Sequence, residues 1–143
     1  MDKKNPADDR SDKVILYAED DPNDAFFFAT AIRRAAIPMT VFIVDDGQSA
    51  IDWLAGQGAF ADRRKYPLPS MLVLDLKMPR KCGFEVLEWV RNQKHLENLP
   101  VIILSSSGET QDKEKAKALG ATDYFVKTAT AREIVQYISA ASS

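Results

Sequence analysis

The chain has 143 residues, of which 45% are hydrophobic and 28% charged, and its formal net charge at pH 7 is −2. This length fits a single domain, and the near-neutral charge argues against a nucleic-acid partner, which would need a clustered basic surface. No stretch approaches the ~20 apolar residues that span a bilayer, and the polar N-terminus lacks the apolar core of a signal peptide. A single cysteine, Cys82, cannot form an internal disulfide, so we expect a cytoplasmic protein with no membrane partner.

Residues 1–12 are polar and charged and show no periodicity, so they predict a flexible arm before a domain that covers residues 13–143. Short apolar runs, which predict strands, lie at 14–18, 41–44, 71–74, 101–104 and 124–126. Longer amphipathic segments, which predict helices, lie near 22–36, 47–56, 83–94, 109–119 and 130–140. Because the runs are apolar at every position, they predict a parallel sheet with helices on both of its faces, in an α/β domain.

Two segments leave alternatives open. The first predicted helix can bury either of two stripes, which are Phe27, Phe28, Ala31 and Ala35, or Ala25, Phe28, Ala29 and Ile32. Phe26 fits neither stripe, and we favour a partly exposed aromatic over a docking contact beside the acidic residues that follow the first strand. The long connection at 56–70 contains two glycines and two prolines, and it predicts a loop or a helix extension that offers a surface to partners.

Polar residues close four of the five predicted strands. Glu19 and Asp20 follow the first strand, Asp75 the third, Ser105 the fourth and Lys127 the fifth. In an open parallel sheet, ligands bind at the carboxyl ends of the strands, where the strand order reverses. A single residue of this kind would be weak evidence, because such an aspartate is often a helix cap and such a lysine a solvated charge. Four strand ends that converge predict a functional site.

The charges of these residues indicate which ligand the site accepts. Two like charges about 4 Å apart at an effective dielectric near 20 cost about 4 kcal/mol, so three carboxylates either raise a pKa or bind a cation. Oxygen ligands of this kind suit Mg²⁺, which lets the pocket accept a phosphoryl group. Asp75 is the candidate nucleophile that forms an aspartyl phosphate, with Lys127 and the Ser105 hydroxyl holding phosphoryl oxygens.

Four motifs carry a resemblance to a known family. They are EDD after the first strand, D-L-K-M-P-x-x-x-G from Asp75 to Gly83, PVIILSS with Ser105 30 residues past Asp75, and D-Y-F-V-K with Lys127 52 residues past Asp75. With these spacings the chain resembles, over residues 13–140, the receiver domain of two-component response regulators. The resemblance implies a flavodoxin-like fold with five parallel strands in the order 2-1-3-4-5.

The resemblance also implies roles for the acidic residues. Asp75 is expected to be the phosphoacceptor. Mg²⁺ is expected to contact Asp20, Asp75 and the backbone carbonyl of Lys77 directly, and Glu19 through a bound water. Asp21 stands where the family often carries a neutral residue, and we interpret it as a pocket-edge charge or a first-turn helix cap.

Further residues are expected to sense or tune the phosphoryl group. By resemblance, the Ser105 hydroxyl moves toward that group, Tyr124 changes rotamer with it, and Lys127 contacts the phosphoryl oxygens. Lys77 and Ser107 occupy the two positions that tune dephosphorylation in the family. We hypothesise that Lys77 reaches toward the phosphoryl group and alters its lifetime.

The sequence departs from the family directly after the lysine, where receivers usually carry a cis-linked proline and this chain has Thr128. A cis bond before any other residue costs about 2.5–4 kcal/mol, which leaves open whether the Lys127–Thr128 bond is cis or trans. This departure, the long 56–70 connection and the absence of an output domain resemble the small stand-alone regulators of bacteriophytochromes.

The resemblance implies that a sensor histidine kinase, of phytochrome type in this sub-family, phosphorylates Asp75. We expect a signalling protein rather than a turnover enzyme, with output through protein contacts such as a homodimer formed by residues 109–140. The alternatives are a receiver-fold scaffold and a relay that passes the phosphoryl group to a histidine phosphotransfer protein. The anionic EDDPND segment disfavours a flavodoxin-like cofactor binder, and Lys77 disfavours an aspartyl phosphatase, which needs a second aspartate there.

Overall fold

The protein forms an open sheet of five parallel strands, and the computed structural model describes residues 13–127 and 131–142. The strands are β1 (Val14–Ala18), β2 (Thr40–Val44), β3 (Met71–Leu74), β4 (Val101–Ser105) and β5 (Asp123–Val126). Their order is β2-β1-β3-β4-β5, which confirms the predicted topology. The predicted arm at 1–12 and Thr128 lie outside the described residues, and so does the geometry of the Lys127–Thr128 bond.

Four helices lie between successive strands, and a fifth follows the last strand. They are α1 (Pro22–Arg34), α2 (Gly47–Ala55), α3 (Gly83–Arg91), α4 (Thr110–Ala118) and α5 (Ala131–Ser142), with short 3-10 helices at Gly58–Phe60 and Lys94–Leu96. α1 ends at Arg34 rather than at residue 36, because Ala36 adopts a left-handed φ of 56°. α3 also ends early, and Lys94–Leu96 forms a separate 3-10 turn. No helix within the described ranges is long and apolar enough to cross a membrane.

The three central strands β1, β3 and β4 are buried on both faces, as their continuous apolar runs predict, whereas the outer strands β2 and β5 are only partly buried. Every residue of β1 is at most 1% exposed. One face is covered by α1 and α5, whose buried side chains pack on Ile15, Tyr17, Met71, Val73, Ile102 and Leu104. The other face is covered by α2, α3 and α4, which pack on Leu16, Ala18, Leu72, Leu74, Val101 and Ile103. Helices on both faces leave the carboxyl ends of the strands open at one edge.

The first helix buries the second of its two predicted stripes. Ala25, Phe28 and Ile32 are buried, and the Phe28 ring packs against Tyr17 with ring centroids 4.7 Å apart. Phe27 is 63% exposed, so the stripe that contains it is the wrong alternative. The contact between Phe28 and β1 fixes the rotation of the helix about its axis, so that Phe26 and Phe27 face the solvent.

The connection at 56–70 is a loop that folds back on α2 and does not continue the helix. Gly56 ends α2 with a left-handed φ of 68°. Arg63 then donates hydrogen bonds from its guanidinium group to the carbonyls of Trp53 and Leu54, at 2.6 and 2.9 Å. Both carbonyls belong to the last turn of α2, where the Gly56 N–H also donates to the Trp53 carbonyl, so Arg63 adds to the C-terminal cap of the helix.

Candidate functional site

Carboxylates from two neighbouring strands meet at the carboxyl edge of the sheet. Glu19 and Asp20 follow β1, and Asp75 follows β3, which pairs with β1. The Asp75 N–H donates to the Ala18 carbonyl at 3.1 Å. This bond extends the pairing of β1 with β3 and places Asp75 beside the acids that follow β1. One oxygen from each of Glu19, Asp20 and Asp75 lies within 4.8 Å of the other two. The structure therefore brings together the three acids that the sequence placed at these strand ends.

The Lys127 ammonium group joins the acids from the end of β5. Its Nζ donates to Glu19 Oε1 at 2.6 Å, to Asp24 Oδ2 at 2.8 Å and to Asp75 Oδ2 at 3.0 Å. The Lys127 backbone N–H donates to the Ser105 carbonyl at 2.7 Å, which ties the residue to β4. Burial alone would lower the pKa of Lys127, but its hydrogen bonds with Asp24, Glu19 and Asp75 outweigh burial and raise the pKa. The group therefore stays charged.

Glu19 is more enclosed than Asp75, at 2% against 6% exposed. The Tyr17 hydroxyl donates to Glu19 Oε1 at 3.0 Å, and the Asp21 backbone N–H donates to Oε2 at 3.0 Å. Burial raises the pKa of Glu19, and the hydrogen bonds from Lys127 and from the Asp21 N–H oppose that rise. Burial and the nearby Glu19 charge raise the pKa of Tyr17, so its hydroxyl keeps the proton that it donates.

The start of α1 places Asp24 beside the lysine. The Asp21 side chain accepts from the Asn23 N–H at 2.8 Å, and Pro22 occupies the first helical position, where its fixed φ suits a helix. Of the two interpretations of Asp21, the structure supports the helix cap. Asp24 lies in the first turn that this cap defines and reaches the lysine that ends β5.

The predicted switch residues lie in β4, in β5 and in the loop after β4, and Tyr124 packs on the sheet face opposite to that of Tyr17. Ser105 is buried, and its Oγ accepts a hydrogen bond from the Ser107 N–H at 3.2 Å. The Tyr124 hydroxyl donates to the Ser107 carbonyl at 2.8 Å. The Ser107 hydroxyl donates to the Asp112 carboxylate, which ties the loop after β4 to α4. Both Ser105 and Tyr124 therefore contact the same loop residue.

The loop after Asp75 is held in its middle by Arg80 and at its end by Gly83. Gly83 allows close packing, because a Cβ there would lie 2.3 Å from the Asp75 carbonyl oxygen. Arg80 adopts a left-handed φ of 68°, and its guanidinium group makes two 3.0 Å hydrogen bonds to the Asp46 carboxylate. Lys77 is exposed in this loop, and the metal and tuning roles that the resemblance implies for it stay predictions.

The donor set of this edge fits a divalent cation. Glu19, Asp20, Asp24 and Asp75 outnumber the Lys127 ammonium group that pairs with three of them. Carboxylate oxygens, backbone carbonyls and waters are the ligands that Mg²⁺ prefers. A hard cation would offset the excess negative charge that the lysine leaves.

Two residues of the site were not identified from the sequence, Tyr17 and Asp24. Tyr17 sits inside an apolar run, but it precedes Glu19 by two residues and so lies on the same face of the strand. That spacing was a usable signal. Asp24 carried no comparable signal, because its contact with Lys127 depends on how α1 docks against β5.

Comparison with known proteins identifies the family that the motifs resemble. The family model of the response regulator receiver domain matches residues 15–139. Among curated proteins, response regulator Rcp1 of Synechocystis sp. (strain ATCC 27184 / PCC 6803 / Kazusa) is 28% identical over 131 residues. The match covers 92% of this chain and 87% of Rcp1.

Solved structures of related proteins share the fold. Response regulator RPA3017, in red light signaling of R. palustris, matches with a TM-score of 0.80 and 32% identity over 90% of each chain. The phosphorylated cyanobacterial phytochrome response regulator RcpA matches with a TM-score of 0.78 and 29% identity, again over 90% of each chain. The Mn²⁺-bound form of Rcp1 matches with a TM-score of 0.77 and 27% identity over 90% of each chain.

Proposed function

Because this chain belongs to the response regulator receiver domain family, we propose that it accepts a phosphoryl group from a histidine kinase on Asp75 and signals by a change of its surface. The observation that carries the proposal is the surroundings of Asp75. Its carboxylate ends a central strand, is 6% exposed, and lies 3.0 Å from an ammonium group and beside two other acids.

In the proposed reaction, an Asp75 carboxylate oxygen attacks the phosphorus of a phosphohistidine. The new O–P bond forms as the N–P bond breaks, and the bonding electron pair leaves with the imidazole nitrogen. Lys127 compensates the charge on the transferred group, because its hydrogen bond to Asp75 Oδ2 already places the ammonium beside the acceptor. Tyr17 and the Asp21 N–H hold Glu19 in place during this exchange.

Asp20, Asp75 and the Lys77 carbonyl would hold Mg²⁺, with Glu19 contributing through a bound water. The ion would supply charge neutralisation for the transferring phosphoryl group. Two findings support this part of the proposal. The three acids have oxygens within 4.8 Å of one another, and the related Rcp1 has been solved in a Mn²⁺-bound form.

We propose that the signal leaves the pocket through the loop after β4. A phosphoryl group on Asp75 would draw the Ser105 hydroxyl toward it, and this movement breaks the hydrogen bond from the Ser107 N–H. Tyr124 donates to the same residue, so it moves when Ser107 moves. The surface at 109–140 then changes and contacts another protein, with a second copy of this chain as the predicted partner.

The proposed kinase is of the phytochrome type, and the proposed compartment is the cytoplasm. The phytochrome-type kinase is supported by relatives, since RcpA is a cyanobacterial phytochrome response regulator and RPA3017 is a response regulator in red light signaling. In this role the protein accepts and loses a phosphoryl group on itself and does not turn over a separate substrate.

The test is intact mass after incubation with Mg²⁺ and acetyl phosphate. We expect wild type to gain one phosphoryl group and Asp75→Asn to gain none, with Asp20→Asn slowed because a proposed cation ligand is lost. An Asp75→Asn variant that is modified as fully as wild type would contradict the proposal. No gain in wild type, with either acetyl phosphate or a phosphorylated kinase, would favour the scaffold alternative.

The molecular mass in solution of the same samples distinguishes the two proposed outputs, a homodimer and a phosphoryl relay. A mass increase to a dimer only in the phosphorylated sample supports the homodimer. A phosphorylated monomer that passes its phosphoryl group to a histidine phosphotransfer protein supports the relay.

A further inference from the structure

The hydrogen-bonding capacity of Lys127 is filled by carboxylates. An ammonium group has three N–H donors, and here the three acceptors are Glu19, Asp24 and Asp75. If Asp75 receives a phosphoryl group, Lys127 has no free donor for a phosphoryl oxygen. One of its present partners must therefore give way.

The exposure of the three partners indicates which one gives way. The side chain of Glu19 is 1% exposed, that of Asp75 8%, and that of Asp24 42%. Lys127 contacts only Oδ2 of Asp75, so this contact is kept when the phosphoryl group is on Oδ1. Releasing Glu19 would leave a buried carboxylate without its cation, which is costly. Asp24 lies half in water, so a freed Asp24 is solvated at little cost.

We propose that Asp24 is a positioning residue that holds the Lys127 donor in place until a phosphoryl oxygen replaces it. Glu19 is the permanent anchor of the ammonium group, and Asp24 is the exchangeable one. The assignment rests on the proposed function, because the incoming ligand is a phosphoryl group on Asp75. It also places a charge change on α1, far along the chain from the predicted output surface at 109–140.

Asp24 and an incoming phosphoryl oxygen compete for the same Lys127 donor, so weakening the Asp24 contact should raise the affinity for a phosphoryl group. Asp24→Asn keeps an oxygen acceptor but removes the charge, so Lys127 is released more easily to the incoming group. Affinity for beryllofluoride, a phosphoryl mimic, should rise about 1.5- to 5-fold, the range expected for a half-exposed ion pair. Asp24→Glu keeps the carboxylate and should bind beryllofluoride as wild type does.

The matched control is Asp45→Asn. Asp45 is exposed and follows β2, whose last residue pairs with Ala18 next to Glu19, so this change removes one negative charge from the same sheet edge. No hydrogen bond or ion pair to Lys127 is found for it among the described residues. Its affinity for beryllofluoride should change much less than that of Asp24→Asn.

The experiment is calorimetric titration with beryllofluoride at saturating Mg²⁺, with thermal unfolding of each variant as the check on folding. Carboxyl ¹³C NMR of wild type adds a readout that needs no variant, because the Asp24 resonance should shift on binding and the Asp45 resonance should not. Equal or weaker binding by Asp24→Asn, or an unmoved Asp24 resonance, overturns the inference alone. No binding of beryllofluoride by wild type overturns the proposed function as well.

Discussion

The two sides of Asp75 are built from different kinds of hydrogen bond. The lysine side consists of Tyr17, Glu19, Asp24 and Lys127, and the switch side consists of Ser105, Ser107 and Tyr124. On the lysine side an ammonium group contacts carboxylates at 2.6–3.0 Å. On the switch side the contacts to the Ser105 hydroxyl and from the Tyr124 hydroxyl are neutral, and a carboxylate enters only where the Ser107 hydroxyl donates to Asp112 on α4.

This difference separates two tasks. Hydrogen bonds to charged groups contribute about 1.5–3 kcal/mol and neutral ones about 0.5–1.5 kcal/mol. The lysine side therefore fixes the pocket and determines its stability, whereas the switch side rearranges at low cost. Substitutions on the lysine side should lower the free energy of unfolding, and those on the switch side should change the response instead.

The largest loss of stability is expected for Lys127→Gln. It removes the cation that pairs with buried Glu19 and Asp75, so the free energy of unfolding should fall by about 3 kcal/mol at pH 7 without added cation. Urea denaturation measures the change. Lys113→Gln, at an exposed position of α4, is the control and should be nearly neutral. Equal free energies of unfolding for the two variants would contradict the claim that the lysine side determines the stability of the pocket.

A smaller loss is expected for Tyr17→Phe. The hydroxyl donates to Glu19 at 3.0 Å, and its removal leaves a buried carboxylate short of one donor, which costs about 1–2 kcal/mol. Tyr137→Phe on α5 is the matched control for loss of a hydroxyl. If Tyr17 acts through Glu19, the effect should shrink in a Glu19→Gln background. An undiminished effect there would assign Tyr17 to packing alone.

On the switch side, Tyr124→Phe should leave stability within about 1 kcal/mol of wild type, because only one neutral hydrogen bond is lost. Phosphorylation of Asp75 should proceed at nearly the wild-type rate. The amide NMR shifts that phosphorylation causes in α4 should become smaller, because the Tyr124 link to Ser107 is gone. Unchanged α4 shifts would mean that the signal leaves the pocket by another route.

The smallest effect on stability is expected for Arg80→Gln, because Arg80 belongs to neither the lysine side nor the switch side. Burial acts to raise the pKa of Asp46, but hydrogen bonds from Arg80 and Ser49 lower it below its usual 3.8. A carboxyl whose pKa falls on folding adds stability above its ordinary pKa, and that stability is lost as pH falls through the folded pKa. The stability difference between wild type and Arg80→Gln should therefore be present at pH 7 and shrink below about pH 4. A difference independent of pH would contradict the pairing.

The sequence predicted the fold from the pattern of apolar residues along the chain. It predicted the acidic site from the polar residues that directly follow the strands. Apolar runs indicated strands buried on both faces, and parallel strands bring their carboxyl ends together, so Asp75 and Lys127 meet although 52 residues separate them. The same reasoning could not find Asp24, whose partner is 103 residues away on a different element. It also left the stripe of α1 open, because only the packing of Phe28 on Tyr17 decides that rotation.

Arginine side chains that cap a helix or bind across loops could not be predicted either, in contrast to the Asp21 cap. Arg63 caps α2 from within the 56–70 connection, and Arg80 binds the Asp46 carboxylate from the loop after β3. Both are ordinary charged residues in polar segments, and their partners are set by how the loop folds. Spacing along the chain carries no information on such contacts.

The most direct test of the central claim is to locate the phosphoryl group. After phosphorylation with acetyl phosphate and Mg²⁺, borohydride reduces an aspartyl phosphate to homoserine, which tandem mass spectrometry places in the sequence. We expect homoserine at position 75, and none when Mg²⁺ is withheld. Modification at another acid, or none at position 75 in protein whose mass shows phosphorylation, would contradict it.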